Sequence, residues 1–414
     1  MRIHLWHGYL LAGTGSNVYT RQLAREWSRA GHEVTVFSQE ARPERFDLGG
    51  ARTVRPDVGR LLPVFVLDRY EGYEVRLLQD CTRAELEAWV EANARALREA
   101  ETADLLLVNH VLLGGAVGAA SGERYVVKAH GSELEYSLRG NAALAAWGAE
   151  VLAGAAATIV GSAHIREVVE EVCGPVGRVH EIPPGVDVEL WRPAPRADAL
   201  ERLLAEARRD PPNPGNADER HPDEGNAGRL AAFLAGERPT VVYFGKLIEN
   251  KGVQVLLEAL AGLDARAVVV GFGDFRAELE RRAAGLDVLF TGPLEHRHLV
   301  HLLALADVAV VPSIFPEAFG MVAAEAAAAG CPPVVARHSG LAEVARGLEE
   351  AYPEPLRRLA SFPAGDAVAL RERLGAIIAL PAGDREALRR AARAAAVARW
   401  SWAGVGRRIL ETVA

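Results

Sequence analysis

The sequence predicts an α/β protein of two Rossmann-like domains. Three observations carry that prediction: a length of 414 residues, two separate places where an apolar strand runs through a glycine loop, and short apolar runs alternating with amphipathic stretches. The length exceeds what one ordinary core fills and suits two domains. Half of the residues are hydrophobic and a quarter are charged, which excludes a mainly disordered chain.

The first domain is expected over residues 1–190. It opens with the strand Arg2 to His7, passes through Gly13-Thr14-Gly15-Ser16 into an amphipathic stretch from Asn17 to Ala30, and returns in the strand Glu33 to Phe37. Gly31 stands where a helix-ending glycine belongs. The apolar runs Ala103 to Val108, Arg124 to Ala129 and Ala157 to Val160 read as buried parallel strands, since a strand covered on both faces shows no polar alternation. Thr82-Arg83-Ala84-Glu85 is a capping box that opens a helix reaching about Glu101.

Residues 191–238 break the pattern. A short helical piece, Asp198 to Arg208, precedes a stretch from Asp210 to Glu219 rich in Pro, Gly, Asn and charge, which predicts a mobile linker or insertion. The second domain, expected over 239–383, begins with the strand Thr240 to Phe244 and continues through Ala267 to Val270, Val288 to Thr291 and Val308 to Val311. An alanine- and arginine-rich helical segment, 384–414, is expected to pack back toward the first domain.

The formal net charge of -8, without a polybasic block beside an amphipathic segment, offers no general attraction for nucleic acid or anionic lipid, so a small-molecule enzyme is expected. No apolar run has the length of a membrane span, and the chain enters a strand directly rather than a signal peptide, which predicts a cytoplasmic protein. Cys81, Cys173 and Cys331 are far apart, with no Cys-x-x-Cys, and read as reduced core residues.

Of 47 basic residues only Lys128, Lys246 and Lys251 are lysine. A lysine kept against that bias suggests a place where a compact point charge is wanted. Lys246 and Lys251 fall together in Gly245-Lys246-Leu247-Ile248-Glu249-Asn250-Lys251-Gly252, just after the strand that opens the second domain. Two cations there suit a diphosphate, the alternative being a solvated charged turn. The first loop, Gly13 to Asn17, leads into a helix N-terminus where backbone N–H groups can meet an anion. The dinucleotide pattern would need a glycine in place of Val18, and a ligand-free tight turn is the alternative.

A third feature is Pro316-Glu317-Ala318-Phe319-Gly320-Met321-Val322-Ala323-Ala324-Glu325. Glu317 precedes a helix expected to start near Phe319, so the free N–H groups of its first turn share space with the carboxylate. Glu325 is a lone charge among small apolar residues and needs hydrogen-bond donors, from a ligand or from the protein. Eight helical residues rise roughly 12 Å, which suits contacts to the two ends of one nucleotide sugar. His130 follows the strand Arg124 to Ala129 at the edge where open α/β sheets bind ligands, and Lys128 points to that edge or into the sheet.

Taken together and in this order, these pieces resemble the family 4 retaining glycosyltransferases of GT-B fold over nearly the whole chain. The resemblance includes the Gly-Ser loop and its helix ending Gly31-His32-Glu33-Val34, the turn Ile182-Pro183-Pro184-Gly185-Val186-Asp187, the lysine loop, Gly271-Phe272-Gly273, and two glutamates separated by seven residues with Phe319-Gly320 between them. It implies two domains facing each other across an active-site cleft and transfer of a hexosyl group from a nucleoside diphosphate sugar, a UDP-sugar slightly ahead of GDP-mannose, to a hydroxyl. It implies that Gly15 and Ser16 lie near the donor phosphate, that His130 contacts the donor sugar, and that Lys246 and Lys251 hold the diphosphate. Glu317 is implied to bind sugar hydroxyls and Glu325 the ribose. Gly245, Leu294, Phe319, Gly320, Met321 and Val322 are expected on the donor surface, and Asn17, Tyr19 and Lys128 on the acceptor side.

Two departures stand out. The family usually has arginine where Lys246 stands, and the crossing between the domains is longer than usual. Asp-x-Asp is absent, so neither a metal nor another cofactor is expected. The excursion from Phe46 to Asp80, with Arg52, Arg55, Arg60, Arg69, Arg76, Tyr70 and Tyr73, could read an anionic acceptor or be ordinary surface charge. A GT-B epimerase would need carboxylates near His130, for which Glu133 and Glu135 are candidates. A dehydrogenase is disfavoured by the missing glycine, and a non-catalytic sugar-nucleotide sensor by the presence of both His130 and Glu317.

Overall fold

The computed structural model describes residues 1–67 and 70–413. Among the described residues fifteen strands follow in chain order: β1 (Arg2–Trp6), β2 (Glu33–Phe37), β3 (Arg52–Val54), β4 (Leu61–Val64), β5 (Glu74–Leu77), β6 (Leu105–Asn109), β7 (Tyr125–Lys128), β8 (Ala157–Val160), β9 (Val179–Glu181), β10 (Thr240–Phe244), β11 (Arg266–Val270), β12 (Val288–Phe290), β13 (Val308–Val311), β14 (Pro333–Ala336) and β15 (Ser361–Phe362). They divide between two compact units, Met1–Gly185 with the chain from Trp402 on, and Val186–Ser401.

In the first unit seven parallel strands lie in the order β3-β2-β1-β6-β7-β8-β9, with Ile3 of β1 opposite Val34 on one side and Leu105 on the other. Successive side chains of a strand point to opposite faces. Ile3 and Leu5 therefore join Leu23 and Trp27 of the helix Gly15–Arg29 in one core layer, while Trp6 joins Trp89 of the helix Arg83–Arg98 in the other. The capping box is formed: Thr82 Oγ1 accepts from Glu85 N, and Glu85 Oε2 accepts from Thr82 N. β4 and β5 pair separately as a small parallel ribbon.

The second unit holds six strands in the order β12-β11-β10-β13-β14-β15, parallel throughout. β10, β11 and β13 are buried along their whole length, as expected of strands that are apolar but for Thr240 and Arg266, which bond each other. The edge at which their C-terminal ends lie is the ligand-binding edge of an open α/β sheet. The lysine loop leaves it after β10, Ser313 and Glu317 after β13, and His338 after β14.

Residues 191–238, expected as a linker or insertion with a short helical piece at Asp198 to Arg208, form two helices, Arg196–Ala207 and Asn226–Phe233, that belong to the second unit. Their charges are matched by arginines far along the chain. Arg276 donates twice to Asp223, at 2.8 and 2.6 Å, Arg297 pairs with Asp210 at 2.5 Å, and the Arg266 guanidinium donates to Phe233 O and Ala235 O at 2.6 and 2.9 Å. Local composition could not show these partners. The boundary likewise falls at Gly185 rather than near residue 190.

The closing segment 384–414 is two helices, not one. Ala382–Trp400 packs in the second unit, with Leu388, Ala392 and Trp400 in its core. Trp402–Val413 packs in the first unit, where Trp402, Val405 and Ile409 line the core and Trp27 Nε1 donates to Gly406 O at 3.0 Å. The helix expected near Phe319 starts later, at Met321. No helix among the described residues is long and apolar enough to cross a membrane.

Candidate active site

The second unit's site begins at the lysine loop. Tyr243 Oη donates to Lys246 O at 2.7 Å and closes the turn after β10. The Lys246 side chain is exposed and makes no side-chain bond to any described residue. Gly252 holds φ +70, and a Cβ there would lie 1.9 Å from Pro312 O, so the loop rests directly on the end of β13.

That close approach brings Lys251 to Glu317. Lys251 Nζ lies 2.5 Å from Glu317 Oε1, and Ser313 Oγ reaches the same oxygen at 2.9 Å. The Glu317 peptide is held as well: its N–H donates to Ser339 Oγ at 2.8 Å, and its carbonyl accepts from Gly340 N at 2.9 Å.

The following helix, Met321–Ala328, opens at Gly320, which holds φ +114. Ala323 N and Ala324 N turn back to Gly320 O, and among the described residues the N–H groups of Met321 and Val322 have no backbone partner, as at any open helix start. Glu325, half-buried on this helix, has no side-chain partner among the described residues, and burial pushes its carboxyl up to about 8. A structural glutamate at such a place would be bonded to protein donors. Two residues expected on the donor surface turn inward instead: the Phe319 ring packs on Trp400 at 6.0 Å, and Leu294 is buried in the same core.

In the first unit His130 Nε2 lies 2.8 Å from Asn109 Oδ1. The Asn109 amide nitrogen donates to Trp6 O and Thr20 Oγ1, at 3.3 and 3.2 Å, so its oxygen must accept and His130 Nε2 carries the proton. Burial, then the charges of His110, Lys128 and His7, hold the His130 pKa well below the ordinary value. His130 is neutral, with a lone pair on Nδ1.

The residues expected on the acceptor side lie beneath the surface. Asn17 Oδ1 is 2.8 Å from His7 Nε2 and accepts from Thr14 Oγ1 at 2.8 Å, bracing the glycine loop. Tyr19 meets the His130 ring edge-on at 5.6 Å. Lys128 Nζ sits 5.4 Å from the Tyr19 ring centroid, and burial lowers its pKa to about 7. The helix Gly15–Arg29 presses Asn17 and Tyr19 toward the sheet, while Gly15 and Ser16 at its start remain accessible.

Glu133, a candidate carboxylate for an epimerase, is fully buried and accepts from Val111 N at 2.6 Å, capping the helix Leu112–Ser121. Glu135 pairs with Arg139 at 2.8 Å. Among the arginines of the 46–80 excursion, Arg52 pairs with Glu33, Arg76 with Glu74 and Glu85, and Arg55 donates to Tyr73 Oη. Arg69 lies outside the described residues. No group of three or more His, Cys, Asp or Glu among the described residues is placed to hold a metal ion.

Two family models match the chain, "Glycosyltransferase Family 4" over residues 13–190 and "Glycosyl transferases group 1" over 231–395. The D-inositol 3-phosphate glycosyltransferase 2 of Catenulispora acidiphila is 30% identical over 363 residues, covering 79% of this chain and 75% of that relative. The chain is a family 4 glycosyltransferase of the GT-B fold.

A GDP-mannose-dependent alpha-(1-6)-phosphatidylinositol dimannoside mannosyltransferase of Mycobacterium tuberculosis is 46% identical over 110 residues, a match that spans 25% of this glycosyltransferase and 29% of that relative. Anabaena HepE, solved in complex with UDP, shares the fold at a TM-score of 0.68 and 18% identity, over 100% of this chain and 99% of that one.

Sequence reasoning missed Ser313, His338, Ser339 and Asn109 in this glycosyltransferase. Ser339 meets Glu317, and His338 meets Ser313, only because β13 and β14 are neighbours in the sheet. Asn109 had a usable signal: it ends the apolar strand β6 and is paired with Lys128, two residues before His130.

Proposed function

We propose that the protein is a retaining, metal-independent hexosyltransferase that moves a sugar from a nucleoside diphosphate hexose to an acceptor hydroxyl. The observation that carries the reading is the grouping of Lys251, Glu317, the free N–H groups of Met321 and Val322, and the unpartnered Glu325 at one sheet edge. Cations and aligned N–H groups stabilise the charge that grows on a departing diphosphate. Lys246 and Lys251 hold the diphosphate, Glu317 accepts from sugar hydroxyls, and Glu325 accepts from the ribose diol. By the family resemblance, Gly15 and Ser16 of the first unit lie near the donor phosphate and His130 contacts the donor sugar.

The bond from the anomeric carbon to the diphosphate breaks as the acceptor oxygen approaches from the same face, and the departing phosphate oxygen takes the acceptor proton. The unit Met1–Gly185 serves the acceptor. The names of relatives support the class of donor: some are GDP-mannose-dependent, and a structural neighbour was solved with UDP. A screen of GDP-mannose, UDP-glucose and related sugar nucleotides, followed by nucleoside diphosphate release with and without candidate acceptors, tests the reading. Release from none of them, by folded protein, overturns it.

A further inference from the structure

Glu317 is held by a closed ring of hydrogen bonds that passes through the start of the helix Ser339–Ala351. His338 Nε2 lies 2.7 Å from Ser313 O. A carbonyl oxygen only accepts, so Nε2 carries the proton and Nδ1 the lone pair. Nδ1 lies 3.1 Å from Ser339 Oγ, so the hydroxyl donates to it and keeps its own lone pairs for the N–H of Glu317, 2.8 Å away. Ser313, whose carbonyl anchors the imidazole, has its hydroxyl 2.9 Å from Glu317 Oε1, with Asn250 O and Phe315 O as further acceptors at 3.1 and 3.2 Å. The protons of the His338 and Ser339 side chains have a determined direction.

The backbone adds a second observation. Ser339 holds φ +45, a left-handed conformation that strains a residue with a Cβ and costs glycine little. The next residue, Gly340, is bare because a Cβ would lie 2.5 Å from Ala318 O. A serine stands where glycine would relax the turn, and its hydroxyl is committed on both sides.

We propose that His338 and Ser339 are positioning residues for Glu317. The imidazole orients the Ser339 hydroxyl, the hydroxyl holds the Glu317 peptide, and the carboxylate is thereby aimed at the donor sugar. This rests on the reading of Glu317 as the sugar-binding carboxylate.

Ser339→Gly separates positioning from stability, because it relieves the backbone and deletes the hydroxyl together. The variant should melt at or above the parent's temperature. With GDP-mannose or UDP-glucose, whichever the parent cleaves, kcat for nucleoside diphosphate release should fall by about tenfold to 100-fold, the penalty of a displacement of about 1 Å. Affinity for the free diphosphate should stay within about twofold. His338→Asn keeps an oxygen near the place of Nδ1 and should retain more kcat than His338→Leu. Nitrogen-15 spectra of histidine-labelled parent protein should show His338 as the Nε2–H tautomer whether or not either donor is cleaved. Parental kcat in Ser339→Gly, no advantage of His338→Asn, or an Nδ1–H tautomer overturns the proposal. Glu317→Gln, assayed in parallel, assigns the failure: if it also keeps parental kcat, the reading of Glu317 itself has failed.

Discussion

Lys251 and Glu317 form an ion pair, Nζ to Oε1, at 2.5 Å. A diphosphate bound at the lysine loop must therefore share this ammonium with a carboxylate already in contact with it.

Lys251→Ala removes the cation and leaves the nucleoside contacts in place. Charge-assisted hydrogen bonds contribute about 1.5–3 kcal/mol, so affinity for the free nucleoside diphosphate should fall by roughly tenfold or more. Affinity for the nucleoside should barely change. Calorimetric titration of both ligands measures the contrast, and equal losses would point to damage of the fold.

The two glutamates should separate by role. Glu325→Gln weakens the acceptor offered to the ribose diol, so nucleotide affinity should fall with a smaller effect on kcat. Glu317→Gln acts at the sugar, whose ring changes shape at the transition state, so turnover should suffer more than nucleotide affinity. Circular dichroism establishes folding first. Normal turnover in Glu317→Gln, or parental nucleotide affinity in Glu325→Gln, contradicts the donor assignment.

Glu325 also predicts a pH dependence. Its carboxyl is raised from 4.5 to about 8 by burial. Between those values the folded protein keeps a proton that the unfolded chain has released, so this group's contribution to stability declines as pH rises through the window. Glu325→Gln stays neutral, and its melting temperature relative to the parent should climb between about pH 5 and about pH 8. Donor binding has the opposite sense, because a diol donates to the ionised form: parental affinity should rise over that window and the variant's should stay flat. Melting curves and titrations at matched pH check both halves.

Turnover should persist in excess chelator, since lysines and helix N–H groups stand at the expected diphosphate position. Loss of activity on chelation, with recovery in magnesium, would show that this assignment is incomplete.

Much of the fold was legible because buried parallel strands leave unbroken apolar runs: Thr240 to Phe244 and Val308 to Val311 have the same bounds in the structure as in the sequence reading. Short strands such as β3 and β15 left no such run. The second helix of the 191–238 region, Asn226–Phe233, was not legible because the region's polar residues find partners at Arg266, Arg276 and Arg297, and no local window contains both members of such a pair. The site shows the same division. Lys251, Glu317 and Glu325 stood out through lysine scarcity and an isolated charge. His338 and Ser339 are ordinary residues until sheet order joins them to Ser313 and Glu317, and Asn17 and Tyr19 were expected on the acceptor side because a loop-to-helix junction does not reveal which face the helix buries.

The place of the last helix has a consequence for how the protein is made. Trp402, Val405 and Ile409 complete a core that otherwise consists of residues before Gly185. A ribosome adding about 5–20 residues per second exposes β1 to β9 long before it supplies that helix, and the whole second unit is synthesised in between. The first sheet must wait roughly tens of seconds with the Trp402 position unfilled, so a released chain truncated after Ser401 should be cut by protease across β1 to β9 while the second unit resists. Equal protection of both units in the truncated chain would show that the terminal helix is dispensable to the nascent fold.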